Sequence, residues 1–163
     1  MSESHSHSCH HHGNHPTIEQ RSTEEIVQDA LKTIKSSGYK STKKREEILQ
    51  IFAENQRYLS AKYIHSQLSQ KYPTMSYNTT YRNLYDFVDM GILEYTEYNQ
   101  EQMFRITCWD CDHHHHHFIC TSCGKTIPLD CCPIDHVDTD LSNVKIESHR
   151  FEVFGKCQNC LED

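Results

Sequence analysis

The chain has no long apolar run, a single tryptophan, and few turn-forming residues, with five glycines and four prolines in 163 residues. No stretch is long and apolar enough to cross a bilayer, and the N-terminus lacks the hydrophobic region of a secretory signal. We therefore expect a soluble cytoplasmic protein with no membrane partner. The His-Glu-x-x-His pattern of zinc hydrolases is also missing, so we predict that the protein is not an enzyme.

Basic residues are fewer than acidic residues in this chain. The chain carries 16 Lys and Arg against 23 Asp and Glu, and its net charge of −7 argues at first against a nucleic-acid partner. The charge is unevenly distributed, however, because residues 17–90 hold eleven basic and nine acidic residues, whereas residues 91–163 hold five and thirteen. A slightly basic half followed by an acidic half suggests two domains with different tasks.

Cysteine and histidine, by contrast, are abundant, with nine and fourteen copies. Cys120 and Cys123 form one Cys-x-x-Cys pair, and Cys157 and Cys160 form a second. Without a secretory signal, such pairs favour zinc over disulfides, and four thiolates are the ligand set of a closed, tetrahedral structural zinc site. The alternatives are two unrelated thiol pairs or a redox dithiol.

The first 16 residues contain six histidines, several serines and almost no apolar side chains. Such a segment cannot bury enough surface to offset the entropy of ordering, so we predict a disordered tail. Its histidines and Cys9 favour a natural metal-binding tail. The alternative is the remnant of an expression tag.

Residues 17–107 are predicted to form four helices and a hairpin. The first helix covers residues 17–37, and Thr42, Ser60, and either Ser76 or Asn78 can cap the other three. The stretches ILEYTEY and QMFRIT then alternate apolar and polar side chains on either side of a turn, which predicts a β-hairpin. This order is typical of a winged helix-turn-helix, whose last helix enters the major groove of DNA.

The N-terminal part of the fourth helix carries side chains suited to DNA. Arg82 is the first choice for reading a guanine, with weaker candidates beside it. Lys62, Tyr39 and Arg45 are predicted to lie near the DNA backbone. The alternative is that polar residues of this helix only pack against or solvate it. The candidate residues on the helix are Asn78, Thr79, Tyr81, Arg82 and Asn83.

Five consecutive histidines precede the first cysteine pair, at residues 113–117. If the run is extended, His113, His115 and His117 share one face, and His114 and His116 share the other, so one strand could contribute to two metal sites. Two imidazoles are too few for a tight site, and without further ligands the run would only bind metal loosely. The candidates for those ligands are Glu94, Cys108, Cys111, Asp135, His136, Glu147 and His149.

The C-terminal half is predicted to contain strands at FIC and KTIPLD, a short helix after Pro133, and two strands within VKIESHRFEVFGKC. Cys131 and Cys132 are adjacent in the sequence, and adjacent thiols rarely share one metal. We leave these two cysteines unassigned, as packing or redox-reactive residues.

The segments KSTKKREEIL, SAKYIHSQL, NTTYRNLYDFVDMGIL, FRI, HHHHHFICTSCGK and HRFEVFGKCQNC occur in an order that resembles the ferric uptake regulator family. The resemblance covers about residues 20–162. Within the family, FRITC and CCPID make the chain most similar to the zinc uptake regulators of Gram-positive bacteria. The resemblance implies an α+β fold. A winged helix-turn-helix domain (17–107) and a hinge (108–112) precede a small α/β dimerisation domain (113–163) with a structural zinc held by the four paired cysteines.

The function that the resemblance implies is a dimeric, zinc-responsive transcriptional repressor. The zinc-loaded homodimer would bind an inverted-repeat operator in double-stranded DNA and repress zinc-uptake genes. An iron- or peroxide-responsive repressor of the same family is the alternative.

The resemblance also implies two further metal sites beside the structural zinc. The regulatory zinc ligands would be Glu94, Cys108, His115 and His117. A possible third site would use His114, His116, Asp135 and His149. The spacer CWDCD departs from the family pattern, so Cys111 could replace Cys108, or Asp110 could join the ligands.

Overall fold

A computed structural model describes residues 21–108, 116–129, 132–136 and 139–161, with the side chains at 135–136 excepted. The predicted tail, Asp110, Cys111, residues 113–115 and Cys131 therefore lie outside the described residues. The chain divides into two units, one spanning Pro16–Asp110 and the other including Cys111–Asp163.

Four helices make up most of the first unit. They are α1 (Thr23–Ser36), α2 (Lys43–Asn55), α3 (Ala61–Lys71) and α4 (Tyr77–Asp89). The hydroxyl of Ser22, Thr42, Ser60 or Ser76 accepts a backbone hydrogen bond at the start of each one, which confirms the caps predicted at Thr42, Ser60 and Ser76. Residues 21–22 of the predicted first helix are not helical, because Ser22 forms a capping box with Glu25.

The wing is a three-stranded sheet in the order β1-β3-β2, formed by β1 (Leu59–Ser60), β2 (Leu93–Tyr98) and β3 (Glu101–Ile106). Asn99 and Gln100 form the two-residue turn of the hairpin, both with positive φ. The side chains that the helices and wing bury together form one core, so this unit is a winged helix with its own hydrophobic interior. Its largest fully buried members are Phe52, Phe87, Phe104, Ile26, Ile34, Ile48, Leu49, Ile64, Leu68, Leu84, Ile92 and Leu93.

The second unit contains a small mixed sheet. Strand β4 (His116–Cys120) lies between β5 (Thr126–Leu129), which is antiparallel to it, and β6 (Glu152–Gly155), which is parallel. The predicted helix after Pro133 is only a 3-10 turn, Pro133–His136. The prediction of two strands within VKIESHRFEVFGKC is wrong for the first of them, since residues 145–151 have no regular structure and only β6 forms. Val144 and Ile146 are 58% and 47% exposed in the single chain, and no described strand pairs with this segment.

Apolar burial differs sharply between the units. In the described part of the second unit, the buried apolar residues are Ile119, Cys120 and Cys157. A unit with so small a core depends on other sources of stability, such as bound metal or a partner subunit. Several apolar side chains remain exposed there, namely Ile127, Val144, Ile146, Phe151, Val153, Phe154 and Leu161.

None of the helices in the described part of the chain combines the length and the apolar character needed to span a bilayer.

Candidate metal centres and nucleic-acid interface

The two Cys-x-x-Cys pairs converge at one end of the second unit. The four sulfur atoms of Cys120, Cys123, Cys157 and Cys160 all lie within 4.8 Å of one another. Cys123 Sγ lies 3.7 Å from Cys157 Sγ, close to the sulfur–sulfur separation of about 3.8 Å that a tetrahedral zinc with ~2.3 Å Zn–S bonds requires. The arrangement therefore fits a tetrahedral thiolate-bound metal, as the sequence predicted.

Tight backbone turns hold each pair of thiols together. The amide of Cys120 donates to Lys125 O at 2.8 Å, and the amide of Gly124 donates to Cys120 O at 2.9 Å. Gly124 has φ 73°, a left-handed conformation that glycine adopts without strain. The second pair brackets a 3-10 turn, in which the Cys160 amide donates to Cys157 O at 2.8 Å.

The thiols of Cys120, Cys123 and Cys160 differ in how readily they lose a proton. Burial works against ionisation of Cys120, but backbone amides pointing at its sulfur, including that of Cys157 at 3.3 Å, lower its pKa to about 6. Hydrogen bonding to Cys157, together with burial and the other two thiols, raises the pKa of Cys160 to about 12. Burial raises the pKa of Cys123. Among these three, Cys120 therefore loses its proton first, and a metal would displace the protons from Cys123 and Cys160.

A second cluster of possible ligands lies at the start of β4. His116 Nε2 is 3.1 Å from His149 Nε2 and 3.4 Å from Cys132 Sγ, and Cys132 Sγ is 3.1 Å from His149 Nε2. Two members of the predicted third site thus lie together. The other two members are His114, which is not described, and Asp135, whose side chain is not described. Sequence reasoning missed Cys132, because nothing in its local spacing relates it to either histidine.

The predicted regulatory ligands are described only in part. Glu94, on β2, accepts a hydrogen bond from Tyr58 Oη at 3.1 Å and pairs with Arg105 Nε at 3.3 Å. Cys108 is disulfide-bonded, so its sulfur is not a thiolate while that bond is intact. His117 is half-buried on β4, and His115 lies outside the described residues. This ligand set remains a prediction.

The candidate DNA-reading helix α4 exposes only some of the predicted residues. Asn78, Thr79 and Arg82 are accessible at its N-terminal part. Tyr81 instead directs its hydroxyl to Gln102 on the wing, an acceptor that it shares with Tyr85. Three accessible polar side chains on one helix remain available to meet DNA in a winged-helix arrangement.

Asn83 and Arg45 are engaged with each other inside the unit. Arg45 Nε donates to Asn83 Oδ1 at 3.0 Å, and Arg45 Nη2 pairs with Asp86 at 2.6 Å. Asn83 Nδ2 also donates to Thr79 O at 2.7 Å. These contacts join α2 to α4, so they give both residues a structural task beside the predicted DNA contact.

The remaining predicted backbone contacts are accessible. Tyr39 is 40% exposed and lies under the Arg45 guanidinium, and Lys62 is exposed on α3. Tyr77, the first residue of α4, is also well exposed and was not among the predicted contacts. The DNA contacts as a set remain predictions.

Comparison with known proteins places the chain in a family. Residues 36–154 match the ferric uptake regulator family. The chain belongs to the ferric uptake regulator family. Ferric uptake regulation proteins of Staphylococcus epidermidis and Staphylococcus aureus are each 48% identical to it over 132 residues, which is 81% of this chain and 94% and 96% of theirs. The family resemblance noted in the sequence is thus confirmed.

Solved structures of ferric uptake regulators share the fold. The Helicobacter pylori regulator, described as having three functional metal-binding sites, is 26% identical with a TM-score of 0.64, over 88% of this chain and 96% of that one. A zinc uptake regulator bound to zinc and DNA is 22% identical with a TM-score of 0.65, and the match covers 87% of this chain and 97% of that one. At this identity the likeness shows a shared fold and nothing further. The chain has the predicted α+β architecture of an N-terminal winged helix and a C-terminal dimerisation domain.

Family membership decides the general activity. Ferric uptake regulators are metal-binding transcription regulators that bind DNA as homodimers, and they are not enzymes. The chain is therefore a metal-responsive transcriptional regulator, as predicted.

Proposed function

We propose that this regulator represses iron-uptake genes when it is loaded with ferrous iron. The observation that carries the proposal is the 48% identity to staphylococcal ferric uptake regulation proteins along nearly their whole length. Imidazole and carboxylate ligands, both present among the predicted regulatory residues, suit ferrous iron. A regulator that binds chromosomal DNA would act in the cytoplasm.

Zinc-responsive repression of zinc-uptake genes, the function predicted from the sequence, is the second candidate. Its support was the soft thiolate of Cys108 in the regulatory set, since thiolates favour zinc over harder cations. With Cys108 in a disulfide, that support applies only to the reduced protein. The two candidates therefore differ in the metal sensed and share the DNA-binding fold.

The sensed metal, we propose, is held by Glu94, Cys108, His115 and His117. Glu94 lies on a wing strand, Cys108 follows the wing hairpin, and the two histidines belong to the histidine run, so one bound cation would couple these segments. A metal that raises DNA affinity must itself bind more tightly to the DNA-bound form by the same factor. A coupling of ~3 kcal/mol would change either affinity over a hundredfold.

The four paired cysteines are proposed to hold a separate structural zinc. Support comes from the sulfur positions, all within 4.8 Å, and from the small apolar core of the second unit. Structural zinc supplies folding free energy and leaves no position open for water, so this ion would not be the one that is sensed.

The metal specificity can be tested by fluorescence anisotropy. The protein is stripped of loosely held metal, kept reduced and anaerobic, and mixed with DNA from upstream of iron-uptake or zinc-uptake genes. Ferrous iron, zinc and manganese are then titrated at buffered free concentrations. We expect ferrous iron to produce tight binding to the iron-gene DNA.

The outcomes separate the candidates. Tight binding to the zinc-gene DNA with zinc alone would replace the iron proposal by the second candidate. Tight binding to either DNA without any added metal would contradict both, because it would show that no exchangeable metal controls the protein.

A further inference from the structure

Three side chains that are distant in sequence meet at the start of β4. His116, Cys132 and His149 place one nitrogen or sulfur atom each in a triangle with edges of 3.1 to 3.4 Å. His116 is the first residue of β4, Cys132 directly precedes the 3-10 turn, and His149 lies three residues before β6. Cys132 is not in a disulfide.

One ring is already oriented as a ligand. The His116 side chain is only 5% exposed, and its Nδ1 lies 3.2 Å from the backbone oxygen of Phe151. A carbonyl can only accept, so Nδ1 carries the proton in this contact. The lone pair of Nε2 is then directed at Cys132 and His149. A second hydrogen bond that fixes the tautomer is typical of metal-bound histidine.

Hydrogen bonding within the triangle explains the contacts incompletely. Nε2 of His116 carries no proton and can only accept. The triangle then has at most two donors, the thiol of Cys132 and the Nε2–H of His149, for its three contacts. Two protons cannot satisfy three close contacts. A cation bound by all three atoms satisfies them together.

The triangle has the dimensions of one face of a tetrahedral zinc site. Zinc bonds of ~2.0 Å to nitrogen and ~2.3 Å to sulfur imply edges of about 3.3 Å between nitrogens and about 3.5 Å between nitrogen and sulfur. The nitrogen–nitrogen distance is 3.1 Å, and the two nitrogen–sulfur distances are 3.4 and 3.1 Å. Small outward movements would therefore accommodate the ion.

We propose that Cys132 is a metal ligand, and that with His116 and His149 it forms a thiolate-containing site that selects zinc over hard cations such as manganese. The ligands implied by the family resemblance included no thiolate at this place. Replacing a carboxylate by a thiolate moves the preference toward softer metals. The inference does not depend on which metal the regulator senses elsewhere.

The test uses cobalt as an optical substitute for zinc in the full-length dimer. A background with Cys9→Ser, Cys108→Ser and Cys111→Ser removes the tail thiol and both thiols that the regulatory set could use, and the four-cysteine site keeps its native metal. Added Co²⁺ is expected to give a near-ultraviolet sulfur-to-cobalt charge-transfer band. Cys132→Ser should abolish this band and weaken zinc binding at least tenfold, whereas the matched variant Cys131→Ser should retain both.

Two further measurements keep the proposal open to refutation if Cys132→Ser folds poorly. In the same three-serine background, zinc should slow alkylation of Cys132 at least tenfold by peptide mass spectrometry, while manganese should not. Cys132→Asp should move the site's selectivity from zinc toward manganese. An unprotected Cys132, or a cobalt band that survives Cys132→Ser, would overturn the assignment, as would a band that only Cys131→Ser removes.

Discussion

The guanidinium Nε of Arg105 lies 3.3 Å from Oε1 of Glu94, directly across the wing hairpin, where the two residues are register partners. Tyr58 donates to the same carboxylate oxygen and lies beneath the guanidinium. Within the described structure, Nη1 of Arg105 is buried without a hydrogen-bond partner. A cation binding to Glu94 must therefore share the carboxylate with Arg105 or displace it.

This competition gives a test of Glu94 as a regulatory ligand. Arg105→Met should tighten the metal response about fivefold, because a partly exposed ion pair contributes roughly 1 kcal/mol. Glu94→Gln should weaken it at least tenfold. The measurement is the free metal concentration that gives half-maximal DNA binding. An unchanged concentration in both variants would remove Glu94 from the predicted ligand set.

Cys157→Ser should unfold the second unit and leave the winged helix folded. The reason is that the described part of this unit buries little apolar surface, while a structural zinc contributes on the order of 10 kcal/mol in small domains. Metal analysis should show one zinc fewer per chain, and near-ultraviolet circular dichroism should lose its C-terminal contribution. Ser122→Ala, between two ligands on an exposed turn, is the control and should keep its zinc. Full zinc content in Cys157→Ser would contradict the four-cysteine assignment.

Substitutions at two arginines of the DNA-binding unit should affect different properties, operator affinity in one case and folding stability in the other. Arg82 is exposed on α4, so Arg82→Ala should lower operator affinity by about 1–3 kcal/mol and leave the melting temperature unchanged. Arg45 bonds Asp86, Asn83 and the carbonyl of Lys40, so Arg45→Ala should lower the free energy of unfolding by roughly 1–3 kcal/mol. Anisotropy and thermal melts of the same samples measure both. Equal melting temperatures for the two variants would show that the Arg45 contacts add no stability.

The hairpin turn offers a stabilising substitution. Gln100 has φ 63°, a left-handed conformation that costs a side-chain-bearing residue about 1 kcal/mol. Gln100→Gly would create the Asn-Gly turn that two-residue hairpins favour, so it should raise the free energy of unfolding by about 1 kcal/mol. Chemical denaturation measures the change. Glu101→Gly, one residue later in strand β3, should instead destabilise the protein.

Features with a local cause could be predicted from the sequence. Ser60 and Ser76 cap their helices because a hydroxyl at that position meets amides within the next turn. The hairpin follows from alternation on both sides of Asn99 and Gln100. The cysteine pairs follow from spacing, since each pair forms its own turn. The first of the two strands predicted within VKIESHRFEVFGKC is absent because alternation alone supplies no neighbouring strand.

The sequence by itself therefore determined the helices, the wing and the four-cysteine centre. Only the tertiary structure decided that Arg45 binds Asn83 and that Cys132 meets His116 and His149. Those three residues are 16 to 33 positions apart in the chain. Their meeting depends on the parallel pairing of β4 with β6, which brings the chain before each strand to the same end of the sheet. Such long-range contacts are determined by packing, and the spacing of residues in the sequence does not predict them.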